Sequence, residues 1–192
     1  MDASIPALKK VAARWLPTFQ HDLKDFLRVV ADDPELDDGL RQIAVGVVLY
    51  TLAPGDVIPD SAGVVGYLDD ALALRVVLDE LRDKAPSRFD AYADRLPELA
   101  ESTGDDFDVF RAVLGDVYEP FRAKVLASPA IEFKGKKAAE LLNDDDGPAW
   151  LADEVAEKAL KLDFKQSAID SAVRQVDGIQ AMFRQRLAPR RA

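Results

Sequence analysis

Residues 50 to 70 read Tyr50-Thr51-Leu52-Ala53-Pro54-Gly55-Asp56-Val57-Ile58-Pro59-Asp60-Ser61-Ala62-Gly63-Val64-Val65-Gly66-Tyr67-Leu68-Asp69-Asp70. An uncharged run, Gln42 to Gly55, enters a loop bearing two prolines and two aspartates. A Gly-Tyr pair and two adjacent aspartates follow, and the chain then turns apolar again through Leu78. Acids set between apolar walls must be solvated, paired, used as caps or bound to a cation. The apolar flanks repeat at three-to-four spacing, which is the period of a helix. The stretch therefore reads as a buried helix, a constrained acidic loop and a second helix.

Upstream, Leu8, Val11, Ala12, Trp15 and Phe19, then Leu23, Phe26, Leu27 and Val30, predict a helix over Ile5 to Ala31, kinked or split at Pro17. Asp33 is placed to cap the next helix, with Pro34 at its first position. That helix, about Glu35 to Leu52, carries the stripe Leu36, Leu40, Ile43, Val47 and Tyr50. It is apolar all round by its end, which predicts the centre of the core. The third helix starts between Ser61 and Leu68 and runs to about Lys84. Asp69 and Asp70 fall near its N-terminus, where the helix dipole favours negative charge, and Arg75 has Asp79 within reach at i, i+4. Tyr50, Leu52, Val57, Ile58, Tyr67, Leu72 and Leu78 are the expected core around the loop.

Downstream, Pro86-Ser87 breaks the chain. Helices are expected over Arg88 to Glu101, kinked at Pro97, and over Asp105 to Leu126, bent at Pro120. Residues 127 to 148 mix turns with a short helical piece near Ala138 to Leu142. Two helices, Ala149 to Leu162 and Phe164 to Leu187, close the pattern. No stretch alternates as a strand does, and no internal repeat is visible. The fold expected is all-α, an irregular bundle of about seven or eight helices with no sheet. Residues 1–102 would form one helical part and 103–192 an extension packed on it.

Tyr50, Pro54, Asp56, Pro59, Asp60, Gly66, Tyr67, Leu68, Asp69 and Asp70 resemble the signature of the YkvA-like family, a bacterial domain of unknown function. The resemblance covers the loop and its flanks and implies a helical fold with a shared loop, not an activity. Relatives usually carry bulky apolar residues or proline at the places held here by Gly55, Ser61, Ala62 and Gly63. Some members of that family look membrane-associated, and the softened positions point away from this.

Composition narrows the functional classes. The chain of 192 residues is 48% apolar and 31% charged, enough for a sizeable core. Its formal net charge of -10 disfavours nucleic acid, whose phosphates need an excess of Lys and Arg. With no cysteine and one histidine, His21, disulfides, thiolate metal sites, cysteine nucleophiles and His-pair metal sites are excluded. The longest apolar run, Ile43 to Ala53, would span roughly 17 Å as a helix against the ~30 Å of a bilayer core. No secretory signal is legible at the N-terminus, and a cytoplasmic location is expected.

Five features compete as functional candidates. Asp56, Asp60, Asp69 and Asp70 offer hard oxygen ligands for Mg²⁺ or Ca²⁺, or alternatively caps for turn and helix amides. Asn143 to Gly147 has the acids of a calcium loop but not its register, and reads as a solvated turn. His21 has no nucleophile pattern near it. Lys134, Lys136, Lys137 and the tail Arg184, Arg186, Arg190 and Arg191 read as solvated charge, or as a surface for an acidic partner or membrane. On the last helix, Ile169, Val173, Val176, Phe183 and Leu187 form a seam interrupted by Gln180. It packs on this chain or, alternatively, sets the register of a contact with a second copy. The function expected is non-enzymatic binding or scaffolding, with the Pro54–Asp70 loop as a structural or recognition feature and no cofactor. The alternatives are a divalent-metal-dependent enzyme using the loop aspartates and a peripheral membrane adaptor.

Overall fold

The computed structural model describes residues 4–55 and 57–187, the side chains of Ser4 and Asp60 excepted. Eleven α-helical segments follow one another, and none of the described residues forms a strand. The nearest approach to one is an isolated bridge in which Phe133 and Lys136 exchange backbone bonds at 3.0 Å around the turn Lys134-Gly135. The all-α expectation stands, with more and shorter helices than the sequence segments suggested.

Helix α1, Ser4–Phe26, runs through Pro17 without being split. Its buried face is the expected stripe, Leu8, Val11, Ala12, Trp15, Phe19, Leu23 and Phe26. The chain then continues as a π-helical turn, Leu27–Ala31. Helix α2, Asp38–Leu52, begins later than expected. Its cap is Asp37, whose carboxylate accepts from the amides of Gly39 at 2.9 Å and Leu40 at 3.4 Å. Asp33 instead accepts from the amide of Glu35 at 2.9 Å and from the hydroxyl of Tyr92 at 2.5 Å.

Two 3₁₀ turns, Asp60–Ala62 and Val64–Tyr67, lead into α3, Leu68–Lys84. Every residue of α3 from Leu68 to Leu81 is buried, whereas α2 is buried only from Ala44 onward. The centre of the core is thus α3, with α1, α2 and the helices Pro86–Ala93, Pro97–Glu101 and Tyr118–Leu126 packed around it. The expectation placed the centre at α2 because that helix is apolar all round by its end, whereas α3 is buried along its length although it carries Asp69, Asp70, Arg75, Asp79 and Glu80. Each of these five is at most 5% exposed.

Helices α4 (Pro86–Ala93) and α5 (Pro97–Glu101) each start at a proline, so Pro97 opens a helix rather than kinking one. The expected single helix over Asp105 to Leu126 is two, α6 (Asp105–Leu114) and α7 (Tyr118–Leu126). The break lies at Gly115, whose φ is +57°, while Pro120 sits harmlessly in the first turn of α7. Helices α8 (Ala138–Leu142) and α9 (Gly147–Ala159) follow. The last segment divides at a 3₁₀ turn, Val176–Gly178, into α10 (Gln166–Gln175) and α11 (Ile179–Leu187). One apolar cluster runs from Leu8 to Phe183 and draws on residues on both sides of residue 102. Trp15 stacks on Phe110 at 5.0 Å, and Phe121 meets Phe183 edge-on at 5.1 Å.

Candidate functional site

Helix α2 delivers Tyr50 from its last turn, and α3 delivers Asp69 from its first. The loop between them folds back so that its amides face the same point. The Tyr50 hydroxyl donates to Asp69 Oδ2 at 2.8 Å. The amides of Val57 and Ile58 donate to that same oxygen at 2.8 and 3.1 Å, and the Val57 amide also reaches the Tyr50 oxygen at 3.2 Å. Three donors therefore converge on one carboxylate oxygen that is fully buried. Asp69 Oδ1 has no hydrogen-bond partner among the described residues.

Burial pushes the Asp69 carboxyl up to about 7, against the pull of the hydrogen bonds from Tyr50, Ile58 and Val57. Burial, then the neighbouring Asp69 and Asp70, drives the Tyr50 hydroxyl far above its ordinary range, so it stays a donor. The Lys124 ammonium lies 5.6 Å from the Tyr50 ring centre. The arrangement works as a latch: a side-chain acceptor ties the amides of a proline-bounded loop to the start of the central helix.

The structure brings Tyr50 and Asp69 into one contact and leaves the other motif residues around it. Asp70 is fully buried and Gly66 is buried in the second 3₁₀ turn. Pro54 and Pro59 are exposed on the loop. Asp60 opens the first 3₁₀ turn. Asp56 lies outside the described residues, as do Arg190 and Arg191. Tyr67 was expected in the core but is only half-buried. It sits between Phe19 at 6.1 Å and Phe164 at 5.2 Å, with the Lys158 ammonium 5.0 Å from its ring centre. The remaining expected core residues, Leu52, Val57, Ile58, Leu72 and Leu78, are buried. Gly63 has φ +81°, a backbone that favours glycine over residues with a bulky side chain.

Among the described residues, no group of three or more acidic or histidine side chains could hold a metal ion. The Asn143–Gly147 turn is closed by Asp144, which accepts from the amide of Asp146 at 3.1 Å and pairs with Lys136 at 2.9 Å. Lys134 pairs with Glu154 at 2.7 Å and Lys137 reaches Glu132 at 4.0 Å, so that basic cluster faces acids of its own chain. Arg184 pairs with Asp116 at 2.8 Å, and Arg186 is exposed. Gln180 donates to the Leu114 carbonyl at 3.3 Å, while Ile169, Val176 and Phe183 are buried within the chain. His21 is exposed. No described helix is long and apolar enough to cross a membrane.

A second cluster went unforeseen. Arg75 does not pair with Asp79. Its Nη2 meets Asp22 of α1 at 2.8 Å, with the two side chains 2% and 8% exposed. Its Nε donates to Ser102 at 2.6 Å and its Nη1 to the Ala71 carbonyl at 2.9 Å. The guanidinium carbon lies 4.0 Å from the centre of the Trp15 ring. Burial raises the Asp22 carboxyl and lowers the Arg75 guanidinium, each opposed by the other's charge. Asp79 pairs instead with Arg82 and with Arg111, the latter at 3.4 Å. A cavity of about 810 Å³ opens against Arg75, between α1 and the turn that joins α5 to α6. The sequence did hold a signal: Arg75 is the lone cation between Leu68 and Leu81, and a cation inside a buried helix demands a buried acid from elsewhere.

No curated protein and no solved structure matches the chain. The family match begins inside α2, spans the latched loop and ends in α3 at the buried arginine: residues 41–75 match the family described as "Protein of unknown function (DUF1232)".

Proposed function

We propose that the protein is a non-enzymatic binding or scaffolding protein of the cytoplasm, in which the Pro54–Asp70 loop is a structural latch that holds its surface in one conformation. The observation that carries this reading is the commitment of Asp69 Oδ2 to three donors of its own chain. A carboxylate oxygen so engaged, on a residue with no solvent exposure, is poorly placed to take a substrate or to lose its proton donors to a cation. The exposed prolines on either side of the loop leave it few ways to relax.

Thermal unfolding of the wild type and of Asp69→Asn, each with and without Mg²⁺ or Ca²⁺, tests the reading. Asparagine keeps an acceptor oxygen for the three donors, so the variant should unfold within a few degrees of wild type and neither protein should respond to the cations. Stabilisation of the wild type by a sub-millimolar cation, abolished in Asp69→Asn, would overturn the latch reading in favour of a metal centre.

A further inference from the structure

The cavity against Arg75 holds an unusual combination of charges. A guanidinium carries five N–H donors. Arg75 places one on Ser102, one on the Ala71 carbonyl and one on Asp22. One N–H on each terminal nitrogen is therefore left without an acceptor among the described residues, on a side chain only 2% exposed that lines the cavity. Each Arg75 nitrogen already has one acceptor, and the two remaining N–H groups are the donors that Arg75 can offer to a ligand carboxylate in the cavity.

The rim carries the opposite demand. Arg14 is paired with Asp106 at 2.5 Å, and Arg75 with Asp22. Glu98 and Glu101 on α5 and Asp105 at the start of α6 line the same cavity, are exposed, and have no ion-pair partner among the described residues. A simple anion would meet three uncompensated carboxylates, and a simple cation would leave the Arg75 donors unmet. The volume, about 810 Å³, lies within the range of small-molecule sites.

We infer that this cavity binds a basic α-amino acid, its carboxylate on Arg75 and its two cationic groups on Glu98, Glu101 and Asp105. The assignment deepens the proposed binding role, and rests on it, by naming a ligand class. It does not involve the motif loop, so the two can fail separately.

Isothermal titration calorimetry of the full chain separates the two halves of the site through the ligand rather than through Arg75, whose loss would strand Asp22. The probes are L-lysine, L-arginine, cadaverine (lysine without its carboxylate) and L-norleucine (lysine without its side-chain charge). Lysine or arginine should bind saturably, with cadaverine and norleucine each weaker by about tenfold or more. Glu98→Gln combined with Glu101→Gln, both at exposed positions, should weaken lysine by a similar factor while leaving the thermal midpoint unchanged. Absence of saturable binding by lysine and arginine overturns the inference. So does cadaverine binding as tightly as lysine, which would mark a nonspecific acidic surface, or a double variant that binds lysine unchanged. Proton NMR of the recovered ligand distinguishes the two readings: intact lysine agrees with both, while bound lysine that is chemically converted keeps the site and overturns the non-enzymatic role.

Discussion

At the scale of single residues, Asp69 decides most. Its acceptor oxygen satisfies a hydroxyl and two amides that water cannot reach. Asp69→Ala should strand the Tyr50 hydroxyl and the Ile58 amide, at about 1–3 kcal/mol apiece, while the Val57 amide keeps the Tyr50 oxygen, and denaturant unfolding will read the loss. Tyr50→Phe removes a single donor and should cost about 1 kcal/mol by the same measurement. The pH dependence follows from the raised carboxyl. The folded state holds its proton up to about 7, whereas the unfolded chain releases it near 3.8. Between those values the folded state binds more protons, so this residue's contribution falls as pH rises from about 4 to about 7. Asp22, Asp32 and Asp79 are raised as well, also by burial, and slope the same way. The informative quantity is therefore the difference between proteins: Asp69→Asn should show a flatter stability curve than wild type across that window. Parallel curves would mean that the proton is not held where the geometry puts it. The sequence displayed Asp69 openly, since acids between apolar walls demand an explanation. It did not display Asp22, an ordinary-looking acid one residue from His21 whose partner lies on another helix.

At the scale of elements, the apolar period of three to four located nearly every helix, because burial of one face is what each helix contributes to the core. It failed where a helix is buried on all sides. Helix α3 carries five buried charges, of which Arg75 is paired with Asp22, Asp79 with Arg82 and Arg111, and Glu80 with Lys84 and Arg122. Helix breaks were misplaced for a different reason: Pro17 and Pro120 were given weight as breakers, while the break at Gly115 depends on a backbone angle that composition does not show. Leu78, 1% exposed at the middle of α3, should cost roughly 2–5 kcal/mol when replaced by alanine. Helix α2 has a tighter constraint. A Cβ at Gly46 would lie 2.7 Å from the backbone of Ser128 and Pro129. Gly46→Ala should therefore destabilise by about 1–3 kcal/mol through overpacking, although alanine is the better helix former. A neutral or stabilising result in urea unfolding would show that the 3₁₀ turn Ser128–Ala130 yields easily.

At the scale of the whole molecule, the question is whether the two halves recognised in the sequence are thermodynamically separate. The boundary at residue 102 falls between α5 and α6, beside Ser102, which accepts from Arg75 of α3. Across that boundary Trp15 stacks on Phe110 and bonds Asp106 at 3.2 Å, Arg122 pairs with Glu80, and Ser128 reaches the Ile43 carbonyl at 3.3 Å. Cutting the chain there would uncover the fully buried Phe107, Phe110, Phe121 and Phe183 together with the α1 and α3 faces they cover. Each large side chain exposed costs about 1.5–3 kcal/mol, so four of them rival the whole stability of an ordinary domain. The intact chain should therefore unfold in one cooperative step. Tryptophan fluorescence, dominated on burial change by Trp15, and far-ultraviolet circular dichroism, which reports all the helices, should give coincident urea transitions. Two resolved transitions, with the fluorescence midpoint apart from the helical one, would show that 1–102 and 103–192 hold together separately and that the shared core is only an interface between them.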